Sequence, residues 1–346
     1  MPLAVPSVTP PPELRRIGVE IELLAPPGRS RVDLAHAIAA QDTTPVANRC
    51  RRFFNLDSER SRIPDRQVFY QLNRGIAVVA DDGSLRCRLV DDITIDVPPP
   101  DGDQPDDDVH PSEPDYRIIA DDARLLQLIA RNASPSAPVE TVLDPIGTLF
   151  GTATQLLPRG RYRLNDRTGA SIAMAIPGVE GRERVCEIVT QVIEADHHPA
   201  LEQLLAPARA LGLVVPPEAA VHVHFDAEPF RDAARLWRIV EYFNTNRDEL
   251  WATFDTNTAC KRLGPAPDEL LALLAEAAGA GQSWPEVEKG LRGLKLSKYV
   301  DLNLVNLTKR TPGKDTVEVR ILAPGIEAAT IVDQVEQLWS ILTELW

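Results

Sequence analysis

The chain has 346 residues, of which 44% are hydrophobic and 25% charged, with a formal net charge of −14. That length buries a substantial core as one large domain or two ordinary ones, and the acidic balance speaks against nucleic acid or an anionic membrane as partner. Half of the charge sits in residues 98–115, PPPDGDQPDDDVHPSEPD, which hold seven acidic residues and six prolines, so the remainder is only mildly acidic.

Proline-rich residues 1–12 read as a flexible tail without the basic start and apolar stretch of a secretory leader. The first strand is expected over about 14–24, and Ser30 caps a short helix over 32–41. Residues 51–74 carry Arg51, Arg52, Arg60, Arg62, Arg66 and Arg74 with no clear period. That pattern reads as a solvated loop region, with a substrate-gathering basic surface as the other reading. Strands are expected at 76–80 and 85–97 around the turn DDGS, in which Asp82 and Ser84 either shape the turn or touch substrate. The acidic, proline-rich stretch 98–115 reads as a disordered linker. Beyond it, 121–133 has helical apolar spacing, and 134–182, rich in Gly and Pro, reads as an elaborated loop region with short strands.

From residue 183 the pattern sharpens. ERVCEIVTQVI reads as a strand, 199–212 as a helix ended by Gly212, and AVHVHFD as a strand. One long amphipathic helix is expected over 230–254, then helices over 267–278 and 284–295, strands at 301–307 and 316–322, and a final helix from about 326. All five tryptophans lie in this half, which places the expected core there. Strands with irregularly spaced helices between them predict an α+β fold with a mainly antiparallel sheet. No run of about 18 apolar residues is present, so no membrane-spanning segment is expected. Cys50, Cys87, Cys186 and Cys260 form no CxxC pair, and a reducing, cytoplasmic location is the expectation.

The chemistry is carried by pairs two residues apart on strands, since such side chains share a face. Glu20 and Glu22 share one face of the first strand, Glu187 lies within RVCEIVT, His222 and His224 share a face of VHVHF, and Glu318 and Arg320 share a face of VEVRI. Any one pair fits a strand face turned to water. Together the set is confined to groups that bind divalent cations or phosphate oxygens. Carboxylates two residues apart are separated by about 6.6 Å at the backbone and could bracket two metals about 3.5–4 Å apart. Zinc on the H-x-H strand, completed by Glu187 or Glu318, is the other metal reading, although no H-E-x-x-H helix supplies a hydrolytic base. His197 and His198 open a helix, where polar residues collect, and His36 and His110 receive no role. Lys261, Arg262, Lys295 and Lys298 are phosphate candidates by charge.

In order, G-V-E-I-E, D-G-S-L, E-I-V-T, H-V-H, K-Y-x-x-L-N-L and V-E-V-R-I resemble the amidoligase branch of the carboxylate-amine ligases, whose catalytic fold is similar to that of glutamine synthetase. The likeness runs from Gly18 to the C-terminus, with 98–182 unaccounted for. It implies one catalytic domain over 13–346, interrupted by the linker and by an elaboration over 116–182, built on a glutamine synthetase-like curved antiparallel sheet. It also implies ATP and Mg²⁺ or Mn²⁺, and formation of an amide from a small-molecule or peptide carboxylate and an amine through an acyl phosphate. By position, Glu20, Glu22, Glu187, His222 and Glu318 would hold metal. His224 would lie near the nucleotide phosphates, for which Arg262 and Lys298 are candidates by charge alone, Arg320 would stabilise the transferred phosphoryl group, and Asn303 would face the substrate. The PPEAAVHVH lead-in departs from the glycine-rich one of glutamine synthetase. A metal-dependent hydrolase using His222, His224 and Glu187, or a non-catalytic ligand-binding descendant, are the alternatives.

Overall fold

The structure is a computed structural model that describes residues 12–41, 49–57, 70–92, 94–97, 115–178, 181–260, 262–294, 296–308 and 315–346. In chain order its elements are α1 (Pro12–Arg15), β1 (Ile17–Leu24), α2 (Arg31–Ala39), β2 (Arg49–Asp57), β3 (Tyr70–Val79), β4 (Leu85–Val90), β5 (Tyr116–Ala120), α3 (Ala123–Asn132) and α4 (Asp144–Phe150). They continue with β6 (Thr154–Leu157), β7 (Arg161–Asn165), β8 (Ser171–Pro177), β9 (Val185–Thr190), α5 (His197–Ala210), β10 (Val221–Asp226), α6 (Ala233–Thr245) and α7 (Arg247–Thr253). The last are α8 (Asp268–Gly279), α9 (Trp284–Gly293), β11 (Leu302–Asn303), β12 (Thr316–Leu322) and α10 (Ala328–Leu345). The fold is α+β, as the order of patterns predicts. The chain forms two compact units: Met1–Leu23 with Ile188–Ala210 and Val214–Trp346, and Leu24–Glu187 with Leu211–Leu213. Among the described residues no helix is long and apolar enough to cross a membrane.

In the first unit the strands run β11-β12-β10-β1, each neighbouring pair antiparallel. The period-2 pattern decides the faces. Ile17, Val19 and Ile21 on β1, Val221, Val223 and Phe225 on β10, and Val317, Val319 and Ile321 on β12 are all buried, as are Leu201 and Leu205 of α5, Leu236 and Ile239 of α6 and Leu338 of α10. The opposite face carries the alternating polar residues. Three expectations are corrected here. Leu14 belongs to α1, so the first strand starts at Ile17. The stretch expected as one long helix is two, because Asn246 (φ −102°, ψ 25°) leaves helical geometry while its amide side chain bonds Tyr242 O, a competition typical of Asn. Strand 301–307 shortens to Leu302–Asn303, after which the backbone turns into a 3₁₀ segment at Val305, whose N–H donates to Asn303 Oδ1.

The second unit has the order β4-β3-β5-β8-β7-β6, with β2 along the other edge of β3. The pairings β2–β3, β3–β4, β3–β5, β5–β8, β7–β8 and β6–β7 are antiparallel. Its own core joins Leu72, Ile118, Leu164, Ala173 and Ala175 of the sheet to Leu126 and Ile129 of α3 and Ile146 of α4. Apolar packing is therefore not confined to the tryptophan-bearing half. Of the five tryptophans only Trp339 is buried, because the others are half-exposed on helices and at the end of the chain.

The Arg-rich stretch is likewise corrected: 49–57 and 70–79 are paired strands. Arg74 is buried because Asp115 accepts from its Nε at 3.1 Å and its guanidinium lies 4.2 Å from the centroid of the Tyr116 ring. Asp115 also accepts from the buried Arg31. Charge composition could not show these partners. Arg60, Arg62 and Arg66, and the acidic stretch apart from Asp115, lie outside the described residues. The strand expected over 85–97 ends at Val90, where Arg182 gathers the Asp91 carboxylate and the carbonyls of Asp92 and Ile95. The region 134–182 contains α4 as well as β6, β7 and β8. Asp82 and Ser84 form an exposed turn, with Ser84 N–H donating to Asp82 Oδ1 and Gly83 at φ 84°.

Candidate active site

On the polar face of the first unit, register converts the sequence pairs into rows. Gly18 stands opposite His224, His224 opposite Glu318, and Glu318 opposite Asn303, while Glu20 stands opposite His222. Directly opposed Cβ atoms lie about 4.5–5.5 Å apart, so four strand positions far apart in sequence converge.

Glu20 bridges the two imidazoles, with Oε1 3.2 Å from His224 Nε2 and Oε2 3.3 Å from His222 Nδ1. His222 Nδ1 is also 3.4 Å from Glu318 Oε1. Asn303 donates through Nδ2 to Glu318 Oε2 at 2.6 Å, and Arg320 donates to Glu318 Oε1. Glu22, 1% exposed, accepts from the Ala220 N–H at 2.9 Å and from Arg262, with His222 Nε2 3.7 Å away. One ligand atom each from Glu20, His224 and Glu318 lie within 4.8 Å of one another, a set able to hold a cation. Two carboxylates and one imidazole suit Mn²⁺ or Mg²⁺ better than a thiol-seeking ion.

Electrostatics follow from this crowding. Burial alone would push the Glu20 carboxyl up, yet the charge of protonated His224 and a hydrogen bond from His222 hold it well below its usual range. Burial likewise opposes ionisation of Glu318, but Arg320 and His224 outweigh it and its pKa is lowered. His224 is pushed up to about 9: burial disfavours its charge, and Glu20 and Glu318 more than reverse this. His222 goes the other way, lowered by burial and by Arg320. The two imidazoles are thus split by their neighbours. His222 Nε2, His224 Nε2, and Arg320 Nε and Nη2 are buried without a hydrogen-bond partner among the described residues.

The structure thus brings Glu20, Glu22, His222, His224, Arg262, Asn303, Glu318 and Arg320 together in one unit. Arg262 is engaged with Glu22, and His224 stands among the prospective metal ligands. Glu187 is half-buried on β9 within the second unit, and Lys298 is half-buried between α9 and β11. Lys261 and Lys295 lie outside the described residues. His197, expected in a capping or surface role, opens α5 with Nε2 2.8 Å from Arg15 O and its ring edge-on to Trp339.

Two residues of the site escaped the reading of the sequence. Thr316 Oγ1 lies 3.1 Å from His224 Nδ1 and fixes that ring. Its signal was present in T-x-E-x-R, which puts Thr316 on the face of Glu318 and Arg320. Asp301 accepts from Arg247 at 2.7 Å, Trp251 Nε1 at 2.9 Å and Gly264 N–H at 2.9 Å, while its carbonyl accepts from Arg320 N–H. It clamps the Asn303-bearing strand to β12.

A family model described as "Putative amidoligase enzyme" matches residues 13–341. The chain belongs to this amidoligase family. No curated protein and no solved structure matches the chain significantly. Membership of the amidoligase family makes the protein a ligase, and the converged cluster lies within the matched residues.

Proposed function

We propose that this amidoligase is an ATP-dependent carboxylate-amine ligase, with the cluster on β1, β10, β11 and β12 as its phosphoryl-transfer site and a glutamine synthetase-like sheet as its frame. The observation that carries the reading is Arg320, a buried guanidinium with two N–H-bearing nitrogens lacking partners among the described residues, beside a set of cation ligands. A buried cation with unmet donors is costly in a finished protein and suits a transferring phosphoryl group.

In the reaction a substrate carboxylate oxygen attacks the γ-phosphorus of ATP, the bond to the β-phosphate oxygen breaks, and ADP leaves. The amine nitrogen then attacks the acyl carbon, phosphate departs with its oxygen, and the amide forms with loss of a proton. Glu20, His224 and Glu318 would hold Mg²⁺ or Mn²⁺, which when bound neutralises phosphate charge. Arg320 offers its free N–H groups to the phosphoryl oxygens. Glu318 and Asp301 fix Arg320, and Asn303 holds Glu318. Arg262 pairs with Glu22 beside His222.

The test is release of ADP and phosphate by the purified protein with Mg²⁺ or Mn²⁺, ATP and mixtures of amino acids, peptides and amines, with mass spectrometry for a product lighter than the two substrates by one water. Arg320→Gln is expected to lower turnover by about 10²–10³-fold. Turnover equal to wild type in that variant, or stoichiometric zinc without ATP-dependent turnover, overturns the proposal.

A further inference from the structure

The second unit has a polar sheet face of its own. Along β3, Leu72 enters the core with α3 and α4, so Gln71, Asn73, Gly75 and Ala77 lie on the opposite face. The register puts Asn73 between Asn55 and Arg117, Gly75 beside Phe53, and Ala77 between Arg51 and Arg88. Side-chain contacts agree. A Cβ on Gly75 would come within 2.5 Å of Phe53 Cζ, so the ring lies across the glycine, and the Arg88 guanidinium is 5.6 Å from that ring's centroid. Arg117 Nη1 donates to Gln71 Oε1 at 3.0 Å.

Asn73 is 3% exposed, and its Nδ2 has no hydrogen-bond partner among the described residues. A buried donor left unmet costs about 1–3 kcal/mol, which marks a place where an acceptor is due. Its neighbours on this face are cations, amides, an aromatic ring and one carboxylate position, Asp57, opposite Gln71. Burial is the chief influence on Arg117, whose pKa is lowered despite Asp91 and Asp115 and with Arg182 adding to the fall. By register, the arginine positions Arg51, Arg88 and Arg117 outnumber the carboxylate position Asp57 on this face.

Spacing selects the ligand. Arg117 stands opposite Asn73 and Arg88 opposite Ala77, four residues apart on β3, or about 13 Å at 3.3 Å per residue. A single carboxylate or phosphate is too small to meet both. An extended peptide with carboxylates on residues i and i+4 has the same repeat, with Phe53 to cover its middle and Asn73 to receive an oxygen.

We propose that this face binds an extended acidic peptide, engaging one carboxylate at Arg117 and Asn73 and a second at Arg88. Only the further statement that such a peptide is the enzyme's substrate rests on the ligase reading. The binding itself does not.

Calorimetry on the full chain without ATP tests this, with an end-capped Glu-Ala-Ala-Ala-Glu peptide as probe. The expected result is saturable 1:1 binding, about tenfold weaker for the Gln-Ala-Ala-Ala-Gln peptide and for free glutamate. Arg88→Gln, at an exposed position and so safe for folding, is expected to weaken the probe about tenfold, as are Arg117→Gln and Asn73→Ala. Arg320→Gln, which removes turnover, is expected to bind the peptide as wild type does. Equal affinity for the glutamine peptide or for free glutamate, unchanged binding by Arg88→Gln, or displacement of the probe by an equal concentration of inorganic phosphate would each overturn it. Peptide binding without ADP release would sink the ligase reading alone, and ADP release without peptide binding would sink this one alone.

Discussion

Replacing Arg262 by Met removes a guanidinium from a carboxylate that has no exposed side-chain surface. Breaking a buried ion pair from one side typically costs about 3–5 kcal/mol, because the remaining charge keeps its desolvation penalty. Here the lower end is expected, about 3 kcal/mol. Glu22 still accepts from the Ala220 N–H, and His222 Nε2 at 3.7 Å can share its charge. Urea unfolding followed by tryptophan fluorescence suits the measurement, since all five tryptophans belong to the first unit, as does the pair. With a urea slope of about 2 kcal/mol per M, the midpoint should fall by about 1.5 M. Glu22→Gln in the same background removes the stranded charge, so the double variant should be more stable than Arg262→Met alone, with a coupling of at least about 1 kcal/mol. An Arg262→Met midpoint indistinguishable from wild type, or strict additivity in the double variant, would falsify the view that this pair neutralises a buried charge.

Mn²⁺ at about 100 times its dissociation constant should raise the stability of the fluorescence-reported unit by about 2.7 kcal/mol. Glu20→Gln should lose most of that gain. Thr316→Val should weaken Mn²⁺ about tenfold or more by freeing the His224 ring, while Thr316→Ser retains wild-type affinity in the same titration. Gly75→Ala should destabilise the second unit by about 1–3 kcal/mol, read by far-ultraviolet circular dichroism, because the new Cβ meets the Phe53 ring; a wild-type melt would place that ring elsewhere. Burial pushes the Cys87 thiol from 9.0 up to about 12, so at pH 8 iodoacetamide should modify it only in denaturant, as mass spectrometry will show. Because the unfolded thiol ionises first, its stabilising contribution is complete below pH 9 and is lost as pH rises from there toward 12.

What could be read from the residues was local and periodic. Ser30 as a helix cap, the helix now seen as α3, the strands bearing Glu20, His222 and Glu318, and the two-residue pairs on them followed from side-chain geometry that a short stretch of chain fixes by itself. The order of those motifs carried the family. Only the tertiary structure decided which pairs meet: that His224 shares Glu20 with His222, that Thr316 fixes His224, that Arg262 belongs to Glu22, and that Arg74 is buried on Asp115 instead of solvated. Strand register joins residues some 200 positions apart, and the protonation of a buried group depends on which neighbours register brings to it. Neither is encoded in any single segment, because both arise from free-energy differences that exist only once the strands are paired and water is excluded.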